Sequence, residues 1–268
     1  MFDAMLFNRE LDMLELRMAE LQHVVTKHVI VEGTRSWTGA PKRMWFNESR
    51  LEPRFAQHAT RVAWQQFDPP THSAWGAEAA ARRIGLYNAL RAAGIRDGDV
   101  VLMGDADEIP RADVVEVLAK CDGWPDIVSL AMRSYYISFE FRNQLPWQVF
   151  KAFKWLPEFA HNLQQVRSYG APSIYDAGWH CSYCFEDPAD LLNKLESNAH
   201  TNANEPVRRY YASNMDVLRA AYCEERDVLK GAAQMGIKVE RSAAGLPEFI
   251  LSNPKRFRHL LPGTCANV

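Results

Sequence analysis

The chain has 268 residues, of which 47 % are hydrophobic, a composition typical of a large packed domain and not of a disordered protein. Its 31 basic and 33 acidic residues give a formal charge of −2, so no overall electrostatic field would gather nucleic acid or an anionic membrane. No stretch approaches the roughly 20 apolar residues that a membrane span needs, and the first residues carry charges too early for a signal peptide. We therefore expect a cytoplasmic protein.

Predicted strands and helices alternate along the first 120 residues. Short runs rich in apolar and β-branched residues predict strands at 4–7, 28–32, 61–67 and 99–105. Apolar residues at spacings of three and four predict a helix over 11–25, and an alanine-rich stretch predicts a second helix over 74–94. This alternation is typical of a parallel sheet with helices on both faces. Ligands of such sheets bind outside the carboxyl ends of the strands.

The second half of the chain has a different texture. Residues 126–155 are extended in pattern and unusually aromatic, and they are followed by the strand-like "DAGWHCSYCF" and by predicted helices over 187–199 and 214–235. Flat aromatic faces can support a sugar ring, although core packing would explain at least half of these residues. Because no linker is visible, we predict one domain over 1–268, whose two halves, 1–125 and 126–268, differ in texture.

An acidic turn, "DADEIP", follows the strand predicted at 99–105. Two carboxylates separated by one residue, Asp105 and Asp107, can face the same hard cation. Mn²⁺ or Mg²⁺ prefers such oxygen ligands and keeps further positions for phosphate oxygens. The alternative is that both carboxylates only solvate a loop. Their position behind a central strand favours a metal that holds a diphosphate.

Four segments together resemble glycosyltransferase family 17: "LFNRELDMLELRMAEL", "HVIVEGTRSWTGAPK", "DADEIP" and "GWHCSYCF" occur in the family's order. The resemblance is densest there and thin after about residue 200. It implies a GT-A-like α/β fold, a mixed and mostly parallel central sheet flanked by helices, with a nucleotide-sugar donor half at 1–125 and an acceptor half at 126–268. It also implies a metal-dependent inverting transfer of a sugar, most plausibly N-acetylglucosamine, from a UDP-sugar to a glycan or small-molecule hydroxyl.

The resemblance implies roles for the donor side. The turn Asp105, Ala106 and Asp107 would hold the nucleotide sugar, with Asp105 and Asp107 at Mn²⁺ or Mg²⁺. His259 would be a third metal ligand, as a late histidine is in several GT-A enzymes. Glu32, at a strand end, could contact the uracil or ribose, or be an ordinary strand-end charge. Arg82 matches a basic position of the family and could reach a phosphate, or form an i,i+4 ion pair with Glu78.

The acceptor side offers several candidates for the general base. Asp187 is our first choice by the resemblance, and Glu224 stays open as an alternative. Strand alternation predicts His180 on one face with Gly178 and Ser182, and Trp179, Cys181 and Tyr183 on the other. His180 could then be a metal ligand, an acceptor contact, the base or a core histidine. Further candidates are Glu186, Asp190, His200 and Asp227.

Cysteines and competing protein classes complete the predictions. Five cysteines, an odd number, favour reduced thiols, and the C-x-x-C beside His180 lacks the fourth ligand of a structural zinc site. A sugar nucleotidyltransferase would carry a phosphate loop rich in glycine and arginine near its N-terminus, and none is visible. A carbohydrate-binding module without catalysis would need only the aromatic residues. Nucleotide affinity that depends on a metal would separate an enzyme from such a module.

Overall fold

One continuous sheet of ten strands organises the part of the chain described by the computed structural model, residues 1–70, 73–199, 201–221 and 237–263. The strands are β1 (Phe2–Phe7), β2 (Lys27–Gly33), β3 (Val62–Phe67), β4 (Val100–Asp105), β5 (Glu108–Pro110), β6 (Ile127–Tyr136), β7 (Phe141–Trp147), β8 (Lys151–Lys154), β9 (Ser173–Ser182) and β10 (Ile237–Val239). The four strands predicted in the first half lie within two residues of β1, β2, β3 and β4.

Helices cover both faces of the sheet. They are α1 (Leu11–Leu21), α2 (Trp45–Ser49), α3 (Pro53–Ala56), α4 (Ala74–Ala80), α5 (Tyr87–Ala92), α6 (Ala112–Lys120), α7 (Pro157–Ala160), α8 (Leu163–Ser168), α9 (Pro188–Ser197), α10 (Thr201–Ala212), α11 (Met215–Ala221) and α12 (Glu248–Ser252). Short 3₁₀ turns lie at Ala59–Arg61 and Arg258–Leu260, and a π-helical turn at Ala81–Leu86 joins α4 to α5. The single helix predicted over 74–94 is therefore interrupted by a π turn.

The strand order is β10-β7-β6-β8-β4-β1-β2-β3, with β9 paired to β6 and to β5. Strands β3, β2, β1 and β4 are all parallel, so their carboxyl ends meet at one edge. Strand β4 then pairs antiparallel with β8, which begins the mixed second half. The predicted α/β class, with a mixed central sheet flanked by helices, is confirmed. Its parallel character is concentrated in the donor half.

The core lies between the sheet and its helices. On one face, Leu14 and Met18 of α1 pack against Met5 and Ile30 of the central strands. On the other face, buried alanines and leucines near α5 pack against β1, β2 and β4. The predicted apolar stripe of α1 is correct, because period 3.6 brings these positions to one side of the helix. Among the helices of the described ranges, none is long and apolar enough to cross a membrane.

The expectation of reduced thiols is wrong for one pair, because Cys181 and Cys184 form a disulfide. Cys181 lies near the end of β9, and Tyr183 then adopts a positive φ of 60° that turns the chain. This turn brings the two Cα atoms to 5.7 Å, within the range that a disulfide spans. The odd cysteine count could not reveal a local pair. Two bonded sulfurs cannot both bind zinc, so the zinc alternative loses its ligands.

Candidate functional site

The acidic turn after β4 depends on a glycine. A Cβ atom at Gly104 would overlap the Glu108 carboxylate and the Phe150 ring, so only glycine lets Glu108 fold back beneath the strand. The fully buried Glu108 accepts the backbone N–H of Asp105 at 3.0 Å and the indole N–H of Trp147 at 2.6 Å. Glu108 is therefore the side chain that closes the turn, and it points away from any ligand.

A buried arginine from α8 joins the two carboxylates of this turn. Arg167 donates to both Glu108 oxygens at 2.7 and 2.8 Å, and to Asp105 Oδ2 at 2.7 Å. Arg82 donates to the other Asp105 oxygen at 2.9 Å. Burial alone would raise the pKa of Asp105, but the guanidinium groups of Arg167 and Arg82 outweigh it and hold that pKa well below its usual range. Asp105 is thus a fixed, ionised carboxylate.

Arg82 reaches this position from the π turn between α4 and α5. π turns often occur at functional sites, where the extra residue per turn redirects a side chain. Gly85 of the same turn packs so closely on Val31 and Phe67 that a Cβ atom there would lie 3.1 Å from the valine. Arg82 forms the predicted i,i+4 ion pair with Glu78 and also contacts Asp105. The ion pair predicted for Arg82 is therefore confirmed, and its contact with a phosphate stays a prediction.

The second aspartate of the turn has a different cation. Lys194 of α9 donates to Asp107 Oδ2 at 2.6 Å, and its Nζ also lies 3.0 Å from Glu10 Oε1. Burial disfavours the ammonium, but Asp107 and Glu10 outweigh it and raise the pKa of Lys194. Burial raises the pKa of Asp107 itself, because its one close cation is shared with Glu10. The two aspartates of the turn are therefore in distinct electrostatic environments.

His180 lies beside Asp107 at the same edge. Its ring stacks on Trp147 with centroids 4.2 Å apart, and Nε2 is 3.9 Å from Asp107 Oδ1. Burial lowers the pKa of His180, which favours the neutral imidazole at neutral pH. The buried Nδ1 finds no hydrogen-bond partner among the described residues. The other ring nitrogen, Nε2, lies 3.1 Å from the Ser182 hydroxyl, so a ligand at Nε2 would replace that contact.

The predicted alternation of β9 is correct for four of its residues. Trp179 and Cys181 pack in the core, whereas His180 and Ser182 line a cavity on the other face of the strand. Tyr183 was predicted on the core face and instead lines the cavity, because its positive φ ends the strand.

These side chains surround a cavity of about 310 Å³ at the carboxyl ends of β1 and β4, which we call the donor cavity. It is lined by Leu6, Phe7, Asn8, Glu10, Trp37, Glu78, Arg82, Asp105, Ala106, Asp107, Tyr136, Trp147, His180, Ser182, Tyr183, Lys194, Asn198 and Ala199. Of the aromatic residues between 135 and 155, Tyr136 and Trp147 reach the cavity, and the other six are buried in the core. Most of that aromatic density therefore serves packing.

A second, larger groove of about 950 Å³ adjoins the donor cavity, and Glu10 lines both. We call it the acceptor groove. Asp187 and Asp190 line it from the start of α9, and Arg9 forms an ion pair with Asp190. Asp187 is exposed and caps α9 by accepting the backbone N–H of Ala189 at 2.9 Å. The predicted base therefore lies in the neighbouring groove and not in the donor cavity.

Two predicted ligands lie elsewhere. Glu32 is fully buried and accepts the N–H groups of Phe46 at 3.0 Å and Asn47 at 3.2 Å, and the Trp64 indole N–H at 3.2 Å. Glu32 is at the predicted strand end, but backbone N–H groups at the start of α2 already bond its carboxylate. The expected contact of Glu32 with the nucleotide is therefore corrected to a contact with α2.

His259 is the second correction. Its Nε2 lies 3.1 Å from Asp12 Oδ2, and His259, Asp12 and Glu186 form a cluster that lies outside the donor cavity lining. His259 is therefore not placed as a third ligand beside Asp105 and Asp107. Arg54 and Arg256 already pair with Asp12, which leaves this cluster poorly suited to a cation. The candidates Glu224, His200 and Asp227 lie outside the described residues.

The charges of the donor cavity fit a divalent cation. Four lining carboxylates (Glu10, Glu78, Asp105 and Asp107) meet two lining cations (Arg82 and Lys194), and the charges of Glu108 and Arg167 behind them cancel. An excess of two negative charges remains, and an incoming diphosphate would add to it. Asp107 Oδ1 and His180 Nε2 face each other as oxygen and nitrogen donors that Mn²⁺ accepts. These two side chains would supply one oxygen and one nitrogen ligand to such an ion.

Sequence reasoning missed Arg167, Lys194, Glu10 and the structural role of Glu108. The role of Glu108 could have been predicted from the sequence. The segment "DADEIP" directly follows Gly104 and contains a third acid, which indicates a side chain that needs space beneath the strand. Lys194 lies on a helix that was predicted, but its position in the sequence does not distinguish it from a solvent-exposed lysine. No local signal marks Arg167.

Comparisons with known proteins agree with the resemblance stated from the sequence. The family model described as glycosyltransferase family 17 matches residues 1–267. The chain is 27 % identical to the beta-1,4-mannosyl-glycoprotein 4-beta-N-acetylglucosaminyltransferases of Rattus norvegicus and Homo sapiens, over 97 % and 95 % of its own length. It spans about half of these relatives, 54 % and 53 % of their lengths.

Among solved structures, residues 1–349 of S. aureus TarS align with 73 % of this chain and 63 % of that chain, with a TM-score of 0.36 and 10 % identity. The galactosyltransferase LgtC aligns with 49 % of this chain and 46 % of that one, with a TM-score of 0.28 and 12 % identity.

Proposed function

Because the chain belongs to glycosyltransferase family 17, we propose that it transfers a sugar, N-acetylglucosamine, from a UDP-sugar to a hydroxyl group of a glycan. The donor sugar follows the names of the relatives, which are N-acetylglucosaminyltransferases. The observation that carries the proposal is the donor cavity, where Asp105 and Asp107 stand at the carboxyl edge of a parallel sheet between three cationic side chains.

The diphosphate of the donor binds against the turn at 105–107. Asp105 is held rigid by Arg82 and Arg167, and Arg82 lines the cavity, so its guanidinium can turn part of its hydrogen bonding to a phosphate oxygen. Trp37 and Phe7 supply apolar walls in the same cavity for the nucleoside. Binding on rigid strand ends fixes the anomeric carbon in position, which lowers the entropic cost of reaction.

A divalent cation, Mn²⁺ or Mg²⁺, is part of the proposal. Asp107 would hold it through Oδ1, with His180 as the neighbouring nitrogen ligand. When bound, such an ion neutralises the charge that develops on the departing diphosphate. The excess of negative charge in the cavity supports this assignment, because a diphosphate alone would meet net repulsion there.

The acceptor hydroxyl approaches from the acceptor groove. Its oxygen attacks the anomeric carbon, the bond to the diphosphate oxygen breaks on the opposite face, and the hydroxyl proton passes to a carboxylate. One displacement of this kind inverts the anomeric configuration. We assign the carboxylate to Asp187, which is exposed in that groove. Glu10 lines both sites, but Lys194 outweighs the effect of burial and lowers the pKa of Glu10, which makes it a weak base.

A donor screen tests the proposal. UDP-, GDP- and CMP-sugars are incubated with the protein and Mn²⁺, and release of the nucleotide (UDP, GDP or CMP) is measured with and without a mixture of free glycans. We expect release from UDP-N-acetylglucosamine above all other donors. A carbohydrate-binding module would bind glycans and show no nucleotide affinity that depends on Mn²⁺. A sugar nucleotidyltransferase would instead form the nucleotide sugar from UTP and a sugar phosphate.

A further inference from the structure

Lys194 links the donor half to the acceptor half at the one carboxylate proposed to hold the cation. Its ammonium lies 2.6 Å from Asp107 Oδ2 and 3.0 Å from Glu10 Oε1, and its side chain is only 16 % exposed. It comes from α9, which begins at the acceptor groove and ends beside the donor cavity. A positive charge therefore already occupies one side of Asp107 before any ligand arrives.

We propose that Lys194 is a resident counter-ion of Asp107, which keeps the affinity of the site for a divalent cation low until a diphosphate enters and takes over the ammonium. This inference rests on the proposed function for the identity of the diphosphate. The other oxygen of the same carboxylate, Oδ1, is the proposed metal ligand. The metal and the ammonium would therefore bind the two oxygens of a single carboxylate. Like charges at that separation repel strongly in a site with little water.

A diphosphate relieves this repulsion. Its oxygens offer the ammonium new acceptors, and the lysine side chain is a flexible four-carbon stem that can turn from Asp107 toward them. Lys194 lines the donor cavity, so the diphosphate lies within its reach. Cation and nucleotide should therefore bind cooperatively, and linkage requires that each raises the affinity for the other by the same factor. Lys194 therefore couples the binding of the cation to that of the nucleotide, besides any contact it makes to the donor.

The test measures Mn²⁺ binding directly, by electron paramagnetic resonance of the free ion, in the absence and presence of UDP. Lys194→Met removes the ammonium and keeps the length of the side chain. Lys194→Arg keeps the charge. The matched control is Lys154→Met, because Lys154 is also ion-paired, to Asp126 at 2.8 Å, but lies on β8 outside the donor cavity lining. Lys194→Gln replaces Lys194→Met if circular dichroism shows that the methionine variant is unfolded.

Without UDP, we expect Lys194→Met to bind Mn²⁺ about tenfold more tightly than the wild type, within the roughly 5- to 150-fold range of typical couplings between sites. Lys194→Arg and Lys154→Met should match the wild type. UDP should tighten Mn²⁺ binding to the wild type far more than to Lys194→Met.

Unchanged or weaker Mn²⁺ binding by Lys194→Met, or no Mn²⁺ binding by either protein at millimolar concentrations, overturns the inference. Equal enhancement by UDP in both proteins also overturns it. If UDP affects neither protein while Lys194→Met still binds Mn²⁺ more tightly, the proposed nucleotide donor fails and the counter-ion role of Lys194 stands.

Discussion

Replacement of Arg167 by methionine should be the most damaging single change to the donor cavity. Arg167 is 6 % exposed and donates three hydrogen bonds of 2.7 to 2.8 Å to two carboxylates, Asp105 and Glu108. Removing one partner of a buried ion pair leaves uncompensated charge and costs about 3 to 5 kcal/mol. We expect Arg167→Met to lower the free energy of unfolding by that amount, or the melting temperature by roughly 6 to 10 °C for a chain of this size.

The pH dependence of the stability lost in Arg167→Met provides a second, independent test. Arg167 is the main partner that keeps the pKa of Asp105 and Glu108 low against the effect of burial. Carboxyl groups with a lowered folded-state pKa contribute stability above their unfolded-state pKa of about 4, and lose it as the pH falls through the folded-state value. Without Arg167, Glu108 loses its main cation and Asp105 keeps only Arg82, so burial raises the pKa of these carboxyl groups in the variant. As they take up protons between pH 7 and 4 the variant recovers stability, whereas the wild type loses its own contribution only below about pH 4. The difference between wild type and variant should therefore be largest near pH 7 and shrink toward pH 4.

Urea denaturation followed by circular dichroism at pH 7, 5.5 and 4 measures both effects. The matched control is Arg142→Met, because Arg142 pairs with Glu240 at 3.1 Å with both side chains more than a third exposed. Exposed pairs contribute about 0 to 1 kcal/mol, so this variant should behave like the wild type. The reasoning is refuted if Arg167→Met lies within about 1 kcal/mol of the wild type at pH 7, where breaking a buried pair should cost 3 to 5 kcal/mol, or if its deficit grows in acid.

Three further changes test other parts of the site. Asp107→Asn should reduce transfer on the order of a thousandfold at a temperature where a thermal melt shows the variant folded, because a neutral amide loses the cation that stabilises the leaving diphosphate; near-normal turnover would reject the metal site. Gly104→Ala should destabilise the fold by about 1 to 3 kcal/mol, whereas Gly170→Ala, where a Cβ meets nothing within 4 Å, should not; equal thermal melts would contradict the packing argument. Asp187→Asn should lower kcat about 10²- to 10⁴-fold while the affinity for UDP measured by calorimetry stays constant, and a comparable loss seen only in Glu10→Gln would move the base to the shared wall.

The sequence predicted the features that depend on local patterns. The strands that became β1 to β4 were visible as short apolar runs, and the α1 stripe follows directly from helical periodicity. The acidic turn was visible because its two aspartates and its strand are contiguous. Parallel pairing then placed Asp105 and Asp107 at the ligand edge without any knowledge of side-chain contacts.

Contacts between segments far apart in the chain could not be predicted from the sequence. Arg167 and Glu108 are 59 positions apart, and Lys194 and Asp107 are 87 apart, with no pattern that joins them in the sequence. Glu32 was placed correctly at its strand end, but its use by the backbone of α2 depends on how a loop returns to the sheet. His259 pairs with Asp12, which is 247 residues earlier in numbering, and only the packing of the C-terminal segment on α1 determines that contact.

Anomalous scattering from crystals grown with UDP and Mn²⁺ tests the central claim most directly. Data collected near the manganese absorption edge locate the ion without any assumption about the reaction. We predict one strong peak beside Asp107 Oδ1, next to the diphosphate and in the cavity that contains Arg82 and His180. A peak at Asp12, Glu186 and His259 instead, with UDP bound away from the turn at 105–107, would contradict the assignment of the donor site.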